Sequence, residues 1–311
     1  MRIGVCLLAI IVLLVVAVAG CESTELSARS GVTVTATPET KPAEQLGGGP
    51  GIVDRLSCST LCQRKQPTEV AFKTIADMGF RYVDLSCLTW APHASVVNLL
   101  KDFEAEATRL ERLLAAHRLG VSNFVYDAIE TKPWDQYEQD FRVLARLAAR
   151  LHARLINIMA PSRKVDLQDQ IGKLRKLQAI AAEQGVQLTV ETHVGLVTEL
   201  PADAAKLCEQ VPGLGLTLDP SHYYAGANQC KPFDFLYPHV YGTGFRAGGF
   251  TWETIQMPWG EGPIDFAKIV RGLEAAGYKG FYVVEYLEGH GKVDPLPECR
   301  KFLEWAKGLS W

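Results

Sequence analysis

From residue 52 to its end the chain repeats one unit eight times: a short apolar run, then a longer amphipathic stretch. The apolar runs at 55–59, 82–87, 121–126, 155–160, 186–193, 214–219, 239–246 and 280–286 have the length and residue types of strands. The stretches between them carry helical periodicity. In the clearest, Tyr137, Phe141, Leu144, Ala148 and Leu151 recur at spacings of three and four and so share one face. Gly79, Gly120, Gly185 and Gly277 sit where helices should stop, and Pro67 and Pro201 suit helix starts. Eight strand–helix units over 52–311 predict a single α/β domain, a (β/α)8 TIM barrel, which typically needs ~250 residues. A doubly wound open sheet usually has fewer units and a GxGxxG turn after its first strand. No such turn is present.

The segment before the barrel has a different character. Arg2 precedes residues 3–20, which carry no charge and end in small residues, the pattern of a secretory signal peptide over 1–20. An uncleaved anchor is the alternative, since ~20 apolar residues span a bilayer. The ending Val18-Ala19-Gly20-Cys21 resembles the lipobox of bacterial lipoproteins, which implies cleavage before Cys21 and a lipid on its thiol. Residues 21–51 have no aromatic side chain and close on Gly47-Gly48-Gly49-Pro50. Such a segment reads as a flexible tether. These readings place the barrel in the cell envelope, lipid-anchored on the periplasmic or outer face of a membrane. The net charge of −3 offers no basic excess for nucleic acid.

In a TIM barrel the chemistry lies at the C-terminal strand ends. Alternation along 214–219 turns Gly215, Thr217 and Asp219 toward the axis, and along 186–193 it turns Gln187, Thr189, Glu191 and His193 inward. The last strand ends in Glu285. Three carboxylates at one mouth repel unless a proton or cation compensates, and oxygen ligands suit Mg²⁺ or Mn²⁺. With no cation bound, Asp219→Asn would relieve that repulsion and stabilise the protein.

These residues carry a resemblance. Glu191-Thr192-His193, Leu218-Asp219-Pro220-Ser221-His222, Trp259-Gly260-Glu261-Gly262-Pro263-Ile264-Asp265-Phe266, and Gly277-Tyr278-Lys279-Gly280 leading to Val284-Glu285-Tyr286 are similar to the xylose isomerase-like TIM barrels, the sugar phosphate isomerase/epimerase superfamily. The resemblance runs from about residue 52 to the end. It implies one divalent cation held by Glu, Asp, His and Glu from strands five to eight, and movement of protons or hydride between adjacent sugar carbons. Carried over, Glu191, Asp219 and Glu285 are metal ligands, and Glu191 and Glu285 are also the catalytic acid/base pair. His193 and His222 contact the substrate, and Arg246 either does so too, as a binder of an acidic sugar or a phosphate, or neutralises the carboxylates.

The fourth ligand departs from the family. Its strand seven commonly reads His-x-His-x-Arg, with the second His on the metal. Here Gly242-Thr243-Gly244-Phe245-Arg246 puts glycine at both positions. Using His239 instead would need an insertion before Arg246. The gapless reading leaves an oxygen-only site for Mn²⁺ or Mg²⁺, in which Gly244→His would tighten Mn²⁺ and Co²⁺. The sequence thus predicts a divalent-cation-dependent isomerase or epimerase of a sugar or related polyol. A catalytically reduced carbohydrate-binding barrel and a metal-dependent lyase or hydrolase are the alternatives.

Other residues carry less. His93, His117, His152 and His290 lack ligand spacing and read as surface or capping residues. They also fall short of the His-rich multi-metal cluster of endonuclease IV, a member of the same superfamily. Trp90, Trp134 and Trp259 fall in loops after strands, where a sugar ring could stack on them. Cys58, Cys62, Cys87, Cys208, Cys230 and Cys299 include no CxxC, which argues against zinc. They are either buried thiols or, for Cys62 with Cys87, a disulfide.

Overall fold

The computed structural model describes residues 51–309. The signal over 1–20, the lipid site at Cys21 and the tether up to residue 50 lie outside them. Among the described residues no helix is long and apolar enough to cross a membrane.

Eight parallel strands form one sheet: β1 (Leu56–Ser59), β2 (Tyr82–Ser86), β3 (Gly120–Tyr126), β4 (Leu155–Ile158), β5 (Gln187–Glu191), β6 (Gly215–Leu218), β7 (Val240–Thr243) and β8 (Tyr282–Val284). Their order is β7-β6-β5-β4-β3-β2-β1-β8. The sheet closes just past β7. There Phe245 N donates to Val283 O at 2.7 Å and Glu285 N to Phe245 O at 2.9 Å. Thr243 Oγ1 continues the seam, accepting from Val283 N and donating to Phe281 O. The last ladder bonds of the barrel therefore sit beside Arg246 and Glu285.

Helices α1 (Thr68–Asp77), α2 (Val96–Lys101), α3 (Phe103–His117), α4 (Trp134–Arg150), α5 (Leu167–Glu183), α6 (Pro201–Gln210), α7 (Pro220–Ala225), α8 (Phe266–Ala275) and α9 (Pro295–Lys307) surround the sheet. The apolar face of α4 is buried at Tyr137, Phe141, Leu144 and Ala148, each side chain of leucine size contributing ~1.5–3 kcal/mol. Leu188, Val190, Leu216 and Leu218 are fully buried beneath the helices. The barrel interior is polar: Ser57 Oγ and Ser122 Oγ lie 2.7 Å apart, and Thr189 Oγ1 and Thr217 Oγ1 2.8 Å apart. That alternation leaves the inward residues of β5 and β6 free to climb to the mouth.

Three expectations are refined. Gly79, Gly185 and Gly277 adopt positive φ after their helices, but Gly120 does not; Arg118 takes the left-handed position after α3 instead. Gly120 opens β3, where a Cβ would stand 2.8 Å from the Tyr82 ring. The unit after β2 holds two helices, because Asp102 breaks out at φ −155° and caps α3 through Ala105 N. Cys62 and Cys87 are both free thiols. Cys87 Sγ donates to Leu85 O, whereas the Cys62 thiol faces Cys58 at 3.8 Å, so no bridge joins Cys62 to Cys87.

Candidate functional site

The strand ends hold Glu191, Asp219 and Glu285 around one point. One carboxylate oxygen from each lies within 4.8 Å of the other two. Backbone geometry puts them there. Thr192 Oγ1 accepts from Asp219 N at 2.9 Å and ties the end of β5 to the end of β6. Thr198 Oγ1 donates to Glu191 O and accepts from His193 N, folding the β5 loop back. Asp219 also starts α7: its Oδ1 accepts from Ser221 N at 2.8 Å and Ser221 Oγ at 2.6 Å, with Pro220 at the first helical position.

Arg246 is the cation at the centre. It is buried; its Nη2 donates to Asp219 Oδ2 at 2.6 Å and to His222 Nε2 at 2.7 Å, and its Nε to Ser221 Oγ at 3.0 Å. The Asp219 carboxylate raises its pKa against the opposing effect of burial. His222, also buried, is pushed well below the ordinary histidine range by desolvation, aided by His193 and Arg246 and opposed by Asp219. A neutral His222 accepting from Arg246 at Nε2 carries its proton on Nδ1. Nδ1 is buried with no hydrogen-bond partner. His193 lies over His222 with ring centroids 3.8 Å apart, its Nδ1 on Val194 O.

Glu285 stands partly open to the mouth. Desolvation, then Glu191, Asp219 and Asp84, pushes its pKa well above the carboxylate range, and Arg246 opposes them. Gly244 lies directly beneath it: a Cβ at 244 would meet Glu285 Oε2 at 2.5 Å and Asp219 Cβ at 4.0 Å. Gly244 N donates to Leu218 O, which fixes this register of β7 against β6. His239 precedes β7, at the opposite end of the strand.

A hard cation fits this donor set. Glu191, Asp219 and Glu285 surround one guanidinium, and Asp84 lies beyond them near Glu191 and Glu285, so the acids outnumber the fixed positive charge. The Glu191 carboxylate has His222 Nε2 no closer than 3.5 Å. Residue 244 supplies no side-chain atom, so the group of three carboxylates offers oxygens alone. Glu191, His193 and His222 form an overlapping group with the same span.

Two residues at the mouth escape sequence reasoning. Asp84, on β2, is buried beside Ser59 and Asn123; desolvation first and Glu191 next raise its pKa to about 7. Its signal was the inward phase of the Tyr82–Ser86 run. Trp252, half exposed in the loop after β7, lies 6.2 Å from the rings of both His193 and His222 and 5.9 Å from His290. Of the tryptophans read as stacking platforms, Trp259 belongs to the core, stacked on Phe266 at 4.5 Å, and Trp90 pairs with Arg64. His93 is buried rather than at the surface, bonded to Gln66 O.

The comparisons with known proteins agree with this architecture. The xylose isomerase-like TIM barrel family matches residues 72–309. No curated protein matches the chain by sequence. Among solved structures, a xylose isomerase-like TIM barrel protein from Mycobacterium smegmatis in complex with magnesium superposes with a TM-score of 0.66 at 18% identity, covering 81% of this chain and 95% of that one. A probable 3-DHS dehydratase from Bacillus anthracis gives 0.64 at 16% identity, over 82% and 100%. The 3-keto-D-glucoside 4-epimerase of E. coli gives 0.63 at 16% identity, over 82% and 99%.

Proposed function

This chain belongs to the xylose isomerase-like TIM barrel family, and from that premise we propose that it is a divalent-cation-dependent isomerase or epimerase of a sugar or related polyol. One observation carries the reading: Glu191, Asp219 and Glu285 converge at the barrel mouth, an oxygen of each within 4.8 Å of the other two, so two carboxyls from opposite strands flank the point where a substrate carbon would sit. Glu191 removes a proton from a carbon beside a carbonyl, and Glu285 returns one. Return to the same carbon on its other face inverts it; return to the neighbouring carbon, with movement of the hydroxyl proton, isomerises the sugar. His222 orients the site around the substrate: its Nε2 accepts from Arg246 and stands 3.5 Å from both Glu191 and Asp219. His193, stacked over His222, contacts the substrate beside them, and Trp252 offers an apolar face to a sugar ring. Glu191, Asp219 and Glu285 would hold the cation, Mn²⁺ or Mg²⁺, which when bound polarises the carbonyl and makes the adjacent C–H more acidic.

The proposal includes export and a lipid on Cys21, supported by the Val18-Ala19-Gly20-Cys21 ending. A binding-only barrel is favoured by one feature: Asp219 already accepts from Ser221 and Arg246, leaving it little capacity for a cation. Metal content of the purified protein, with and without added Mn²⁺, separates the two. The enzyme reading expects Mn²⁺ uptake and a higher melting temperature. No uptake at millimolar Mn²⁺ favours the binding-only barrel.

A further inference from the structure

Away from the mouth, three of the free cysteines converge. Cys58 lies on β1, Cys62 in the 3-10 turn Thr60–Gln63 that follows it, and Cys299 on α9. All three are fully buried, and their Sγ atoms lie within 4.8 Å of one another. They meet where the last helix packs on the first strand and on the turn that follows it.

The spacing of these sulfurs is that of a metal site. A Zn–S bond of ~2.3 Å in a tetrahedron sets neighbouring sulfurs ~3.8 Å apart. Cys58 and Cys62 Sγ are 3.8 Å apart as they stand. The Cys58-x-x-x-Cys62 separation is in the range used by zinc loops, with the third ligand remote in sequence. His93, 2% exposed and with its Nδ1 buried without a hydrogen-bond partner, neighbours Cys62 but does not belong to the group of donor atoms that the three sulfurs form.

We propose that Cys58, Cys62 and Cys299 hold a structural zinc ion, distinct from the carboxylate site, that fastens α9 to β1. Zn²⁺ replaces the three thiol protons, which pass to solvent as the site forms during folding. The three thiolates supply three of its four positions.

The test uses the full chain purified without chelator. Elemental analysis should find stoichiometric zinc, and refolding with Co²⁺ should give thiolate-to-cobalt charge-transfer absorption in the near ultraviolet. Asp219→Asn should leave that absorption unchanged, since carboxylates cannot produce it. Cys299→Ser should abolish it and weaken zinc retention beyond the roughly 10–100-fold that second-shell changes cost. If that variant does not fold, the natural protein decides alone. Zinc-free protein with no sulfur–cobalt absorption overturns the proposal. So does a reductant-reversible loss of two reactive thiols in the denatured chain, which would mean a disulfide instead.

Discussion

Gly244→Ala isolates the contact on which the mouth depends. The new Cβ would stand 2.5 Å from Glu285 Oε2 and 3.7 Å from its Cδ, where ordinary contact begins at 3.4 Å. The carboxylate must therefore retreat by about 1 Å, a displacement that costs on the order of 100-fold when it falls on a reacting group. Read as metal affinity, a 10–100-fold loss is ~1.4–2.7 kcal/mol. Gly244 is not among the glycines at positive φ, so alanine imposes no backbone strain. Apo stability should change by less than ~1 kcal/mol. Calorimetric titration with Mn²⁺ beside a thermal melt reads both quantities. Unchanged Mn²⁺ affinity with an unchanged melt would refute the placement of Glu285 as a ligand over Gly244. The same geometry revises the expectation for Gly244→His. An imidazole there takes the space of Glu285 instead of adding a fourth donor, so Mn²⁺ and Co²⁺ binding should not tighten.

Further outcomes follow from individual contacts. Asp219→Asn removes the partner of buried Arg246 at 2.6 Å, so in metal-free protein it should destabilise by roughly 3 kcal/mol, not stabilise by relieving repulsion; a melting temperature at or above that of the natural protein would contradict this. Asp84 has its pKa raised from 3.8 to about 7. A carboxyl raised on folding holds a proton that the unfolded chain has released, so its effect is absent below about pH 4. Stability then falls as pH rises toward 7, by at most ~4 kcal/mol. Asp84→Asn should flatten that slope in urea titrations between pH 4 and 8, and an unaltered slope would assign it to another group. Cys21→Ala should leave an unprocessed, unlabelled precursor when cells are fed radiolabelled fatty acid, whereas normal labelling would place the lipid elsewhere or remove it from the account.

The barrel was legible because both of its periods are explicit. Each predicted run marks one observed strand, with β3 starting one residue early at Gly120, and the inward phase read at Thr189 and Thr217 is the phase in which their hydroxyls meet. Strand ends were less legible: the run at 186–193 leaves the ladder at Glu191, because Thr198 captures the backbone there. The convergence of Glu191, Asp219 and Glu285 could be read from alternation and barrel topology together. The partners of Arg246 could not, since they depend on which rotamer reaches Asp219 and His222. Asp84 looked like one polar residue in an apolar strand, and its burial depends on Ser59 and Asn123 from neighbouring strands. The Cys58, Cys62 and Cys299 cluster was invisible for a related reason: no local motif joins a thiol on β1 to one on the last helix.

The central claim is proton transfer at carbon by the Glu191–Glu285 pair. Nuclear magnetic resonance in deuterium oxide, with Mn²⁺ and a panel of aldoses, ketoses and keto-glycosides, tests it directly. Deuterium should enter at a carbon beside the carbonyl of at least one sugar, and that incorporation should be lost in Glu191→Gln and in Glu285→Gln. Sugars that bind and shift their resonances with no exchange, equally in the natural protein and both variants, would contradict it.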